Sequence, residues 1–255
     1  MAVLLTSRAG RPKRDAVDVV RTRIWFQVVK SRSNLPSAHA IEALIDGPWA
    51  SRGADGISRP RKWYAYEAGR RSPTSVKGKR DAVADAEARF AGTARWYHHA
   101  IWRALKGERF SVQTLDEALR SLDSAVIGIL YKVDDQAEGE HLRQRFLTQD
   151  DVHALVGLGS FDALAAVILL AVQSEMHGLP QLREWVLDAY GEIQPIVADL
   201  PELRRDFEAL FDLTDPLCRH WLYVAPNQRL LMQMFWRERP WYKARLRNEA
   251  RQQAD

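Results

Sequence analysis

The sequence predicts an all-α, multi-helical protein in which a basic helical N-terminal part precedes a larger acidic helical part. Three observations predict it. Apolar residues recur at helical spacing in most segments. Prolines repeatedly stand at the first turn of such segments, with glycines just past their ends. No two segments alternate apolar and polar residues as a half-buried hairpin does. The 255 residues are 46% hydrophobic and 27% charged. That composition suits one or two globular domains and excludes wholesale disorder.

Residues 1–14 read as a flexible basic arm, with Arg8, Arg11, Lys13 and Arg14 close together. Val17, Val20, Ile24 and Val28 then hold helical spacing behind Asp15, and Trp25 and Phe26 widen the apolar face. Pro36 opens a short helix, Ser37 to Asp46, that Gly47 ends. Residues 47–59 are rich in glycine, serine and proline and read as a loop. A third helix runs from Arg59 to Ala68 and stops at Gly69. Thr74 is placed to cap a fourth that ends at Gly92, and Thr93 to cap a fifth, Ala94 to Lys106.

The second half is more plainly helical. Thr114-Leu115-Asp116-Glu117 matches a capping box. Leu115, Leu119, Leu122, Val126, Ile129 and Leu130 follow as one apolar stripe. Ser160 precedes a helix from Phe161 to His177, which Gly178 and Pro180 stop. Pro180 starts another through Tyr190, and Pro201 one through Phe211. Pro216, Pro226 and Pro240 open the last three. The longest apolar run, Ala163 to Val172, is half the length a bilayer demands and predicts a buried core helix. The short start, Met1 to Leu5, followed by arginines, does not read as a signal peptide. The expectation is a cytoplasmic protein of bacterial or phage type, with no membrane partner.

Charge is unevenly spread. Residues 1–110 carry 22 Lys and Arg against 10 Asp and Glu, a net +12. Residues 111–215 carry 7 against 20, a net −13, and residues 216–255 carry 8 against 3, a net +5. The sign changes near 107–113, which sets the expected boundary between a helical part at 15–110 and a second domain at 111–255. The acidic stretch repels nucleic acid, so 111–215 is the expected surface for a homo-oligomer or a protein partner.

The most specific local pattern is Tyr66-Glu67-Ala68-Gly69-Arg70-Arg71-Ser72-Pro73, at the end of a helix carrying Arg59, Arg61, Lys62 and Trp63. It resembles the end of the recognition helix in helix-turn-helix proteins of the Cro and phage-repressor type, where an aromatic, a Glu and a Gly precede basic residues and a Pro. The resemblance implies DNA binding by the helix near 59–73, with Arg59, Arg61, Lys62, Arg70 and Arg71 as contacts. Arg8 to Arg14, around a Gly-Arg-Pro core, is similar to an AT-hook, which implies minor-groove contact through Arg11, Lys13 and Arg14.

Trp25, Trp49, Trp63, Trp96 and Trp102 all lie in the basic part, with arginines or lysines beside three of them. Exposed, they suit stacking on bases; inside amphipathic helices, Trp63 and Trp102 are core anchors. Arg237 to Arg251 is a further basic segment, read as a solvated terminal helix, a second phosphate contact or a dock for the acidic region.

Searches for catalysis return little. No phosphate loop, nucleophile elbow or His-Glu-x-x-His pair is present, and Gly157-Leu158-Gly159 is not a dinucleotide fingerprint. The single cysteine, Cys218, excludes a disulfide framework and a multi-cysteine zinc site. Asp134-Asp135 and Asp150-Asp151 sit in turn-like stretches. No metal or cofactor is expected. The sequence therefore predicts a protein that binds duplex DNA, of the transcription-regulator kind. The alternative is a helical interaction or scaffold component of a bacterial or phage-derived assembly with no nucleic-acid role.

Overall fold

Asp15 begins the first helix. Its carboxylate accepts the Val17 backbone N–H at 2.9 Å, satisfying a donor that the first turn leaves open. The computed structural model describes residues 14–47, 61–74, 81–133, 141–143 and 147–218. These residues form an all-α, multi-helical fold of twelve helices, with one two-stranded antiparallel ladder. They fall into two compact units divided between His98 and His99, at the paired histidines and ahead of the change of charge sign.

The first unit holds α1 (Ala16–Ser33), α2 (Ala38–Asp46), α3 (Lys62–Glu67), α4 (Ala82–Glu87) and α5 (Thr93–Tyr97). Its core is an aromatic cluster. Trp25 of α1 stacks on Trp63 of α3 with ring centroids 5.8 Å apart, and the rings of Tyr66 and Tyr97 meet Trp25 edge-on. All four side chains are buried. Such rings bury large apolar areas and lock the angles between short helices. Helices of five or six residues cannot stand alone, so α3 and α5 exist because this cluster holds them against α1, and α4 because it packs on α5.

The second unit holds α6 (Ile101–Leu105), α7 (Val112–Arg120), α8 (Ser124–Leu130), β1 (Tyr131–Val133), β2 (His141–Arg143), α9 (Gln149–Leu158), α10 (Phe161–His177), α11 (Pro180–Ala198) and α12 (Phe207–Thr214). α10 is its axis. Every residue from Ala163 to Ala171 is buried, so the helix is apolar on all sides and takes neighbours from α6, α7, α8, α9 and α11. The ten-residue apolar run is thus a core helix, and no helix among the described residues is long and apolar enough to cross a membrane. Ser160 caps its start through the Ala163 N–H at 3.1 Å, and Gly178 ends it in the left-handed conformation.

Several boundaries differ from the sequence expectation. The third helix spans 62–67 rather than 59–68, since Arg61 takes φ +31°, outside the helix, and Ala68 closes it. The capping box lies one turn earlier than Thr114–Glu117. Ser111 is the cap and Thr114 is its reciprocal partner, accepting the Ser111 N–H at 2.8 Å. The expected helix 94–106 is two helices, broken at 98–100. His99 Nδ1 accepts the Ile101 N–H there at 3.3 Å, starting α6 afresh. The stripe from Leu115 to Leu130 is likewise two helices, with Asp123 capping the second. α11 runs past Tyr190 to Ala198 and carries Pro195 within it. The segment after Pro201 is turns until Phe207. Tyr131–Val133 pairs with His141–Arg143, a ladder too short to give an alternating pattern. Asp150 and Asp151 lie not in a turn but in the first turn of α9, where Asp151 pairs with the Thr148 cap.

Candidate nucleic-acid interface

The corner at Tyr66–Pro73 is built from backbone hydrogen bonds. Gly69 N–H donates to Tyr66 O at 2.9 Å and Arg70 N–H to Ala65 O at 2.8 Å, the paired 5→2 and 6→1 bonds of a Schellman stop. The stop demands a left-handed residue, and Gly69 has φ +65°. A side chain there would also meet α1, since a Cβ would lie 2.7 Å from Val19 Cγ1 and 3.0 Å from the Val19 carbonyl oxygen. Glycine is therefore required twice, by conformation and by the approach of α1.

Arg14 secures the corner from the other side. Its guanidinium donates to Gly69 O at 2.5 Å, Arg71 O at 2.9 Å and Thr22 Oγ1 at 2.7 Å. Those carbonyls belong to the corner just past the C-cap Ala68. Burial lowers the Arg14 pKa from its ordinary value. Arg14 was expected in the DNA-contacting arm, but three of its hydrogen bonds go to the fold.

Lys62 was also expected as a contact. Its Nζ instead lies 2.6 Å from Asp46 Oδ1, while Asp46 Oδ2 accepts the Trp63 indole N–H at 2.8 Å. The Lys62 backbone N–H donates to Glu42 Oε1 at 3.2 Å. Two carboxylates one turn apart on α2 thus close the start of α3. Glu42 is buried, and that burial raises its pKa. These two acids are hard to single out by residue type, because a Glu and an Asp four apart on an amphipathic helix read as a solvated face.

Arg61, Arg70 and Arg71 are exposed, and no carboxylate among the described residues pairs with them. Arg11, Lys13 and Arg59 lie outside the described residues, as do Trp49, Asp134, Asp135 and the segment Arg237–Arg251. The structure therefore brings three of the eight expected contacts to the surface around α3 and commits two to its framework. Trp25, Trp63 and Trp102 are core residues. The exposed aromatic on α3 is Tyr64, at 41%.

The second unit holds two polar clusters that invite a catalytic reading. His99 lies with Nε2 3.3 Å from Asp162 Oδ1 and its ring against Phe161, and Asp162 also accepts the Asp123 N–H at 3.1 Å. Both imidazole nitrogens have partners, and this pair ties the start of α6 and the cap of α8 to α10. Tyr190 OH lies 2.6 Å from both Thr214 Oγ1 and Asp215 Oδ1, deep between α11 and the end of α12, and burial pushes its pKa well up. Among the described residues no group of three or more His, Cys, Asp or Glu side chains is arranged to hold a metal ion. Comparison with protein-family models, with curated proteins and with solved structures finds no match.

Proposed function

We propose that the N-terminal unit binds duplex DNA through its phosphate backbone, anchored at the corner that ends α3, and that the protein is a regulator acting on DNA. One observation carries the reading. Arg61, Arg70 and Arg71 stand exposed at the two ends of one short helix, with no carboxylate partner among the described residues, and the opposite face of that helix is fixed in an aromatic core. Exposed guanidinium groups suit phosphate oxygens, which they meet with two parallel donors. Arg11, Lys13 and Arg59 add cations from adjacent stretches of sequence, in a part of the chain with net +12. Residues 111–215, at −13, repel the same backbone, so we assign them a protein-facing role in self-association or signal input.

Phosphate anchoring fits α3 better than deep groove insertion. The helix is six residues long, and residues 47–61 separate it from α2, where a helix-turn-helix has a turn of three or four residues. The test is fluorescence anisotropy with a labelled duplex at low salt, comparing the native chain with Arg70→Ala/Arg71→Ala. The double variant keeps its fold and loses affinity across unrelated sequences alike, as lost phosphate contacts require. A native chain with no affinity for duplex at low salt contradicts the reading. If a stable protein partner then co-purifies, the scaffold alternative takes its place.

A further inference from the structure

The outward side of α3 carries chemistry that phosphate anchoring leaves unused. At 100° per residue, Trp63 and Tyr66 point together into the core. Tyr64, Ala65 and Ala68 share the opposite side, and Arg61 precedes the helix as its N-cap. Arg61, Tyr64 and Ala68 are exposed, and Tyr64, at 41%, is the one exposed Phe, Trp or Tyr among the described residues. Its neighbours on that face, Ala65 and Ala68, are the smallest side chains with a Cβ. The flanking charges are positive: Arg61 lies one turn before Tyr64, and Arg70 and Arg71 lie past the glycine stop. The carboxylates near this helix are turned to other uses. Glu42 is buried, Asp46 holds Lys62 and Trp63, and Glu67 is half-buried.

We propose that this face is a stacking platform for an unpaired base, with Tyr64 as the contacting ring and Arg61, Arg70 and Arg71 holding the flanking phosphates, so that single-stranded nucleic acid is a ligand of the same corner. An exposed ring between cations is the arrangement that single-strand binding surfaces use, and stacking is tolerant of sequence because every base has a π-face. A duplex hides its base faces, so Tyr64 contributes little there. The inference rests on the nucleic-acid reading above and extends it to a second form of the ligand.

The experiment is anisotropy with a labelled oligothymidine strand and a labelled duplex of equal length, on the full chain. Tyr64 is exposed, so Tyr64→Ala and Tyr64→Phe preserve the fold, which circular dichroism verifies. Tyr64→Ala weakens strand binding by roughly fivefold or more, Tyr64→Phe holds it within about twofold because the ring remains, and neither moves duplex binding as much. Arg70→Ala/Arg71→Ala weakens both. The platform is wrong if Tyr64→Ala leaves strand affinity unchanged, if Tyr64→Phe loses as much as Tyr64→Ala, or if strand and duplex fall equally. A native chain that binds duplex but not strand also overturns it and leaves the duplex reading standing. Binding of neither overturns both.

Discussion

Residues of one chemical type divide here by what they touch. Lys62 and Arg14 were expected as DNA contacts, Lys62 on the basic helix near 59–73 and Arg14 in the AT-hook-like arm. The structure gives Lys62 to Asp46 and Arg14 to the carbonyls of Gly69 and Arg71. Neither pairing is legible in one sequence, since Asp46 and Lys62 are brought together by packing and Arg14 meets residues 55 and 57 positions away. Trp63 is the reverse case: its burial was legible from its place on an apolar helix face. Trp63→Ala removes a fully buried ring and costs about 3–5 kcal/mol in denaturant unfolding. A cost below 1 kcal/mol, on the scale of an ordinary surface substitution, contradicts the aromatic core.

Two glutamates of the first unit carry opposite pH signatures. Glu87 accepts the Ala94 N–H at 2.6 Å, the Gly92 N–H at 2.7 Å and the Thr93 hydroxyl at 3.1 Å, and these bonds hold its pKa below the ordinary value. A lowered carboxyl pKa stabilises above the unfolded value, and that stability is lost as pH falls through the folded value. Glu42 is raised by burial, so its ionisation costs stability as pH rises past the ordinary glutamate range. Thermal melts across pH check both. Glu87→Gln is destabilised at neutral pH and converges on the native chain in acid. Glu42→Gln keeps an acceptor for the Lys62 N–H and gains relative to the native chain as pH rises.

At the scale of elements, punctuation was the legible part. Ser160, Gly178 and Pro180 frame their helices where the sequence places them, because caps act through their own backbone neighbours. The misplaced elements have a different cause. α3, α5 and α6 are held by packing rather than by propensity, so periodicity overran their ends. The break at 98–100 depends on a hydrogen bond to His99, which is buried beside Asp162 from sixty-three positions away.

The glycine stops give an element-scale test. Gly69 and Gly178 both have positive φ, near +65° and +60°, but Gly178 has nothing within 4 Å of an added Cβ, while Gly69 lies against α1. Gly178→Ala therefore costs the left-handed penalty alone, about 1–2 kcal/mol. Gly69→Ala adds a clash with the Val19 backbone and side chain and costs more. Urea unfolding of the two variants ranks them. Equal costs mean that α1 does not press on the corner.

At the scale of the molecule, the overall charge of +4 conceals the organisation, and the split into +12, −13 and +5 reveals it. That the chain is helical throughout was legible from periodicity. Which cations remain free was not, because freedom depends on where carboxylates fold to. Of the expected contacts that the structure describes, Arg61, Arg70 and Arg71 stay available and Arg14 and Lys62 do not. Arg14→Ala acts on the fold, loosening the corner and lowering stability, whereas Arg70→Ala/Arg71→Ala acts on binding and leaves the melting temperature nearly unchanged.

The salt dependence of duplex binding reports how many phosphates this corner neutralises. Each phosphate neutralised contributes about 0.9 to the slope of log K against log salt. The native chain binds labelled duplex at low salt with a steep negative slope, and Arg70→Ala/Arg71→Ala flattens that slope by up to about 2, one contact for each arginine. An unchanged slope in the double variant, or no binding by the native chain at any salt, contradicts the assignment of this corner to DNA.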